Sequence, residues 1–528
     1  MAYMERREID GWSIRWDADL AKRAHEKGWW SDDTLASLFP RLAATTPDRV
    51  MLVDAEMKLS AAKLHEWAMR LGGWLRERAA PGETVSFMLP NWHEAAIIYL
   101  AATYAGLVAN PILPSLRERD TGFILRDCRA KVVFVPQNFR GFAYADMLRS
   151  IAAEMDDPPE IVTVRGDSDA FARIITDTEG HGSFAADPNA VRMVMYTSGT
   201  TGRSKGVLHT HNSLAALLRQ LGEHWLVEPG DKFLVPSPIS HIGGSIYAFE
   251  APVLLGSRAV LMAEWDAGNA LTIMREERIT HMAGATPFLE QLLAAAQAAD
   301  EHLPDLKVFI CGGASVPPTL IEEATAWFES ARVTRVYGST EVPVTTVGAL
   351  SERGMAQAAH SDGCGAYAEI RLGANDEICA RGPQMFAGYV RREDEAGAFD
   401  DDGFYRSGDQ GSIDRDGFLC VTGRIKDLII RNGENIAPKE IEDLLRGHPA
   451  IADVAVVGVP DPKTGERACA VVVPRGEVRP DVAMLADFLF GHGVTRFKFP
   501  EQVELREALP RNEAGKVLKH VLRAEIAG

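Results

Sequence analysis

Apolar residues along this chain fall into short runs, and between the runs the spacing turns helical. KVVFVP from Lys131, VRMVMYTS from Val191, DKFLVPSP from Asp231, SRAVLM from Ser257, LKVFICGG from Leu306 and RVTRVYG from Arg332 have the β-branched, apolar character of strands. All but SRAVLM close on Gly, Ser or Pro, residues that lead a strand into a loop. Stretches such as PPTLIEEATAWFESA separate them, with prolines placed for a first helical turn. This alternation predicts an α/β architecture of mixed sheets and helices in several layers. AAIIYLAATYAGLVAN, Ala95 to Asn110, is shorter than the ~20 residues a membrane span needs and predicts a buried core helix.

The texture changes after about Phe386. DDDG, RSGDQG and DRDG crowd together ahead of GRIKD and read as the turns of β-hairpins. Beyond Lys426, LIIRNGENIAPKEIEDLLRGHP, ADVAVVGVPD, ACAVVVP and a helix near Val482 to Gly491 make a compact unit. Its roughly 100 residues suffice for a small α+β domain. We therefore expect a large N-terminal domain over 1–423 and a small C-terminal domain over 424–528.

A length of 528 residues allows two to four domains at about 150 residues each, and needs no covalent staples. The net charge of −18 argues against a nucleic-acid footprint, which requires clustered Lys and Arg, but leaves a nucleotide ligand open. The six cysteines form no CxxC and no metal-ligand spacing with His, so buried free thiols are expected. MAYMERREID lacks an apolar signal core, and a cytoplasmic location follows as an expectation.

The densest chemical signal is TSGTTGRSKG, Thr197 to Gly206, directly behind the strand-like VRMVMY. Glycines let backbone amides approach an anion, hydroxyls donate to phosphate oxygens, and Arg203 and Lys205 add charge. A Walker loop needs G-x-x-x-x-G-K-[ST] opening a helix. Here Gly199, Gly202, Lys205 and Gly206 follow a different spacing, so that reading fails, and with it a P-loop ATPase.

YTSGTTGRSKGV resembles the signature loop of the adenylate-forming superfamily, which includes acyl-CoA synthetases, luciferases and peptide-synthetase adenylation domains. PSPISHIGG (236–244), CGGAS (311–315), YGSTE (337–341), YRSGDQG (405–411), GRIKDLIIRNGENI (423–436) and PRNEAGK (510–516) match further family segments in order. The resemblance runs from about Ala95 to the end, and GENIAPKEIE points to the AMP-dependent acyl-CoA ligase branch.

The resemblance implies two half-reactions: a carboxylate attacks the α-phosphate of Mg-ATP, and a thiol then displaces AMP. It implies that Thr197, Ser198, Gly199, Thr200, Thr201, Gly202 and Lys205 grip the β- and γ-phosphates. Gly312, Gly313 and Ala314 would line the adenine and acyl pocket. Tyr337 would stack on adenine, within a nucleotide segment that includes Gly338 and Ser339. Thr340 would meet the α-phosphate and Glu341 would bind Mg2+. Asp409 would accept from the ribose hydroxyls, with Arg424 beside it. Lys516 would bridge carboxylate and α-phosphate. His241, with Ile242, Gly243 and Gly244, would form the acid pocket, glycine leaving space in an apolar wall.

Lys426 matches the family hinge. The small domain would rotate about it, withdrawing Lys516 and presenting Arg431, Gly433 and Glu434 to coenzyme A. Only twelve residues follow Lys516, so no fused carrier domain is expected and free coenzyme A is the expected acceptor. KGWWSDDTLASLF resembles the start of stand-alone aryl-acid adenylating enzymes, which load a separate carrier protein. Those that select 2-hydroxybenzoates tend to carry Asn where this chain has Ile242, which argues against a catechol-type acid. A non-catalytic adenylate-binding homologue is the alternative from another class. The joint presence of Lys516, Glu341 and Asp409 speaks against it. The sequence leaves the acid undetermined and is compatible with a homodimer.

Overall fold

The computed structural model describes residues 5–167, 169–180, 184–197, 203–313, 315–351, 354–432, 434–511 and 515–527. Two largely parallel sheets carry most of the chain. One has six strands in the order Lys205–Thr210, Val191–Thr197, Val108–Pro111, Thr84–Phe87, Ala130–Pro136 and Glu160–Val164, antiparallel only at its first pair. The other has seven, in the order Arg332–Arg335, Val308–Cys311, His281–Gly284, Lys232–Val235, Arg258–Leu261, Val50–Val53 and Lys58–Ser60, antiparallel only at its last pair. Strands buried on both faces need near-continuous apolar sequence, which explains the short runs. One hydrophobic cluster joins the sheets: Val85, Phe87 and Phe134 from the first meet Phe233, Val235 and Ile310 from the second.

The helix His93–Ala105 is buried along its whole length, as its uniformly apolar sequence demands. It ends at Ala105, earlier than the run Ala95–Asn110 suggested. Gly106 takes a left-handed conformation at φ 74°, and the chain re-enters as the strand Val108–Pro111. Among the described residues no helix is long and apolar enough to cross a membrane.

An antiparallel four-stranded sheet follows: Glu369–Leu372, Glu377–Arg381, Tyr405–Ile413 and Leu419–Arg424. DRDG turns its last hairpin, and at DDDG the Asp400 carboxylate accepts from the amides of Asp402 and Phe404. RSGDQG, by contrast, lies within the strand Tyr405–Ile413, where a register shift after Gln410 absorbs its glycines. The C-terminal domain holds the last sheet, Glu434–Ile436, Ile429–Arg431, Gly465–Pro474 and Ile451–Asp461, with Gln502–Leu505 parallel to Gly465–Pro474. The helix expected near Val482 spans Val482–Gly491. All six cysteines are free; Cys128, Cys311, Cys379 and Cys469 are buried and Cys364 and Cys420 half-buried.

A Cβ on Gly106 would lie 2.5 Å from the Phe184 ring. With the left-handed backbone cost added, Gly106→Ala should destabilise the protein by about 1–3 kcal/mol, read as a lower urea midpoint.

Candidate active site

Parallel strands send their C-terminal ends to one edge of a sheet, where ligands of α/β proteins bind. Four adjacent strands of the seven-stranded sheet do so here. Lys232–Val235 leads to His241, His281–Gly284 to Thr286, Val308–Cys311 to Gly312 and Gly313, and Arg332–Arg335 to Tyr337 and Glu341. The sequence segments PSPISHIGG, CGGAS and YGSTE therefore share an edge although they are far apart in the chain.

Asp409 and Arg424 face each other across paired antiparallel strands. The Asp409 carboxylate accepts from the Tyr337 hydroxyl at 2.8 Å on one oxygen and pairs with Arg424 Nε at 2.9 Å on the other. Each oxygen keeps a lone pair for a further donor. Burial and the neighbouring Asp409 push the Tyr337 hydroxyl well above its ordinary pKa, so it stays a donor. Lys516, near the other end of the chain, lies within the electrostatic reach of this group. Its ammonium is pushed down to about 8, first by burial and then by Arg424 and Lys426, with Asp409 and Asp427 opposing. The same burial lowers Lys426, which sits in the 3₁₀ turn Ile425–Asp427.

Glu341 is buried, and its Oε1 accepts from the Tyr389 hydroxyl at 2.9 Å. A carboxylate anchored through one oxygen keeps lone pairs for a hard cation, and magnesium asks for one or two carboxylates, so the donor set fits Mg2+. His209 fixes the neighbouring residue: its Nε2 lies 2.7 Å from the Thr340 carbonyl oxygen. Burial lowers the His209 pKa to about 4, so the ring is neutral and its Nε2–H is the donor toward that carbonyl. Lys205 opens the strand Lys205–Thr210. Its ammonium donates to the Asp394 carbonyl at 3.2 Å and lies 5.1 Å over the Tyr389 ring, while Arg203 pairs with Asp394 at 2.9 Å. One ring thus links the loop's lysine to Glu341.

His241 caps the short helix Ile242–Ser245, which runs into the π-helical turn Ile246–Glu250. Such turns are frequent at functional sites. Burial lowers the His241 pKa and keeps the ring neutral near pH 7. The space expected at the two glycines is found only at Gly243, which is exposed with nothing within 4 Å of an added Cβ. Gly244 serves packing instead: a Cβ there would meet the Pro238 carbonyl oxygen at 2.2 Å.

Models of two families match this chain: AMP-binding enzyme over residues 39–390 and AMP-binding enzyme C-terminal domain over 440–516. The chain belongs to the AMP-binding enzyme family. By family it is a ligase of the AMP-forming acid–CoA class. It is similar to the medium-chain fatty-acid–CoA ligase of Escherichia coli strain K12, 33% identical over 522 residues, 95% of this chain and 92% of that protein. It is 28% identical to the 2,3-dihydroxybenzoate-AMP ligase of Bacillus subtilis strain 168, covering 97% of each. Its fold matches that of ATP-bound MatB from Rhodopseudomonas palustris at a TM-score of 0.83 and 28% identity, covering 93% of this chain and 99% of that one.

In this AMP-binding enzyme the structure brings Tyr337, Asp409 and Arg424 into contact, with the charges of Lys426 and Lys516 acting on the same region and Gly338, Ser339, Thr340 and Glu341 continuing from Tyr337. Ser198, Gly199, Thr200, Thr201, Gly202, Ala314 and Gly433 lie outside the described residues; Thr197 ends the strand before the loop. Arg431 is held by Glu501 through two bonds of 2.8 Å, and Glu434 is exposed. Sequence reasoning passed over His209 and Tyr389. His209 lies two residues beyond YTSGTTGRSKGV and could have been flagged as a histidine in an apolar strand. Tyr389 carries no local signal. Asp54, His93 and Glu94 also converge, but Arg165 fills their centre, 2.6 Å from Glu94 and 3.3 Å from Asp54, which makes an ion-pair network.

The depressed Lys516 pKa costs stability below about pH 8, where folding must bury a cation, and the cost fades as pH rises toward the ordinary lysine value of 10.5. Lys516→Met should therefore stabilise the ligand-free protein at pH 7 by up to about 1 kcal/mol after solvent screening, read as a higher melting temperature. The gain should shrink toward pH 10 in thermal unfolding series.

Proposed function

We propose that this enzyme joins an apolar carboxylic acid (aliphatic, alicyclic or simple aryl) to coenzyme A through an acyl-adenylate. The observation that carries this reading is the Asp409 carboxylate shared by Tyr337, which opens the YGSTE segment, and Arg424, with Lys516 within the electrostatic reach of both charges. The first half-reaction brings a carboxylate to a polyphosphate, so the chain must offset like charges and align the attack. Lys516, largely protonated near pH 7, bridges the attacking carboxylate and the α-phosphate. Thr340, its carbonyl held by His209, contacts that phosphate. A carboxylate oxygen forms the bond to phosphorus as the bond to pyrophosphate breaks. Magnesium, carried with ATP and held by Glu341, would offset phosphate charge.

The remaining roles follow the resemblance. Thr197 to Gly202, with Lys205, grip the β- and γ-phosphates, which requires Lys205 to leave the Asp394 carbonyl. Gly312, Gly313, Ala314 and Tyr337 seat adenine, and Asp409 with Arg424 takes the ribose. His241, Ile242 and Gly243 bound the acid. The domain boundary lies at 423–424, and the small domain turns about Lys426 between half-reactions. Arg431, Gly433 and Glu434 then face coenzyme A, which requires Arg431 to leave Glu501. A second reading, transfer to a separate carrier protein, draws on the likeness to the dihydroxybenzoate-AMP ligase.

A pyrophosphate-release screen over a carboxylic-acid panel, with and without coenzyme A, tests this. Acid-dependent pyrophosphate plus a coenzyme A thioester is the expected result. Folded protein that releases none with any acid would sink the proposal, and pyrophosphate without thioester would favour the carrier reading. Lys516→Ala should lose adenylation by at least roughly 100-fold, as expected for removal of a charge-stabilising group. It should largely keep thioester formation from supplied acyl-adenylate.

A further inference from the structure

The small domain meets the large one at a contact that the half-reactions described above do not use. The helix Pro438–Leu445 buries Pro438, Ile441, Glu442 and Leu445 against its own domain, which turns Asp443 away from that core. Asp443 has three partners. Lys439 Nζ lies 2.5 Å from Oδ2 and Arg446 2.9 Å from Oδ1, one turn to either side on the same segment. The third is Ser315 of the large domain, whose hydroxyl donates to Oδ1 at 2.9 Å. Arg446 also reaches Ser315 Oγ at 3.3 Å. Two cations of its own domain thus fix the carboxylate and present it across the boundary.

Ser315 closes CGGAS, and its carbonyl accepts from Thr286 Oγ1 at 2.9 Å at the start of the helix Thr286–Ala299. The loop bearing Lys516 packs on that same helix start: a Cβ on Gly515 would lie 3.1 Å from Pro287. Glu290, one turn along, has its pKa raised by burial and by Asp453 of the small domain, with Arg446 and Arg511 opposing. Arg511 in turn ties the loop to its own domain, pairing with Asp453 at 2.6 Å and donating to the Gly515 carbonyl. The position of Lys516 therefore depends on how the small domain seats at Ser315 and Pro287.

We propose that Asp443 is a positioning residue for adenylation: its bond to Ser315 latches the small domain in the arrangement that places Lys516 beside Asp409. This rests on the reading of Lys516 given above. The rotation about Lys426 proposed above would part Asp443 from Ser315, so the latch biases a two-state equilibrium toward the first half-reaction. A helix-stabilising ion pair alone, the ordinary role of Lys439, Asp443 and Arg446 at their spacing, would leave the balance of half-reactions unchanged.

The test compares Asp443→Ala, Ser315→Ala and the double variant with the wild-type enzyme. Pyrophosphate formation from octanoate and ATP should fall roughly tenfold in each single variant, the scale of one charge-assisted hydrogen bond. The double variant should be no slower than the worse single one. Thioester formation from supplied octanoyl-adenylate and coenzyme A should hold or rise. Equal loss of both half-reactions, additive losses, or a lower melting temperature with an unchanged ratio would overturn the latch. Ligand-free trypsin cleavage at Arg424 and Lys426 gives an independent reading and should quicken several-fold in the variants. Unchanged cleavage overturns the latch whichever acid the enzyme takes, whereas a wild-type enzyme inert to every acid sinks only the functional reading. Should Asp443→Ala fail to fold, Ser315→Ala alone decides, since Ser315 lies outside the helix.

Discussion

Parallel pairing of four strands, Lys232–Val235, His281–Gly284, Val308–Cys311 and Arg332–Arg335, is the constraint on which the site depends. Parallel strands release their C-terminal loops at one edge, so His241, Thr286, Gly312 and Tyr337 emerge together. The order of strands in the sheet, not their order in the chain, makes these loops neighbours. Burial of both faces against helices holds that order, and the cluster that joins the two sheets includes Ile239 and Ile246, on either side of His241. Loosening the core would move that segment.

A second constraint is electrostatic. A site for a polyphosphate and a carboxylate must collect cations, and without its anions those cations repel one another. Arg424, Lys426 and Lys516 share one region here, and the depressed pKa of Lys516 records the cost. Asp409 and Asp427 relieve part of it. Asp409 pairs with Arg424, and Asp427 pairs with Arg523 at 2.6 Å. Arg203 and Lys205 are likewise engaged by a residue of the chain itself, Asp394.

Much of the fold was legible because burial writes itself into composition. The apolar runs at Lys131, Val191, Asp231, Leu306 and Arg332 became strands because strands buried on both faces tolerate little else. Misreadings arose where local signals compete. Gly106 stopped a helix that apolar sequence would have continued, since a left-handed glycine cap costs less than further helix there. RSGDQG looked like a turn, yet it is an irregular stretch of strand: Gly408 takes φ 73° and the register shifts, while pairing on both sides keeps the segment in the sheet. Gly244 promised space and proved to be a close backbone contact, a distinction that depends on where Pro238 lies.

By itself the sequence carried the α/β alternation in the spacing of its apolar runs, and its motifs carried the family resemblance from which the expected site residues follow. Tertiary structure alone decided which of those residues meet. Asp409 faces Arg424 because two strands pair in register, and Tyr389 reaches Glu341 because the segment Phe386–Val390 lies along the strand Lys205–Thr210. Ser315 meets Asp443 because two domains dock. No motif encodes such contacts. They join residues far apart in the chain, and only the packing of sheets and domains sets the distance between them.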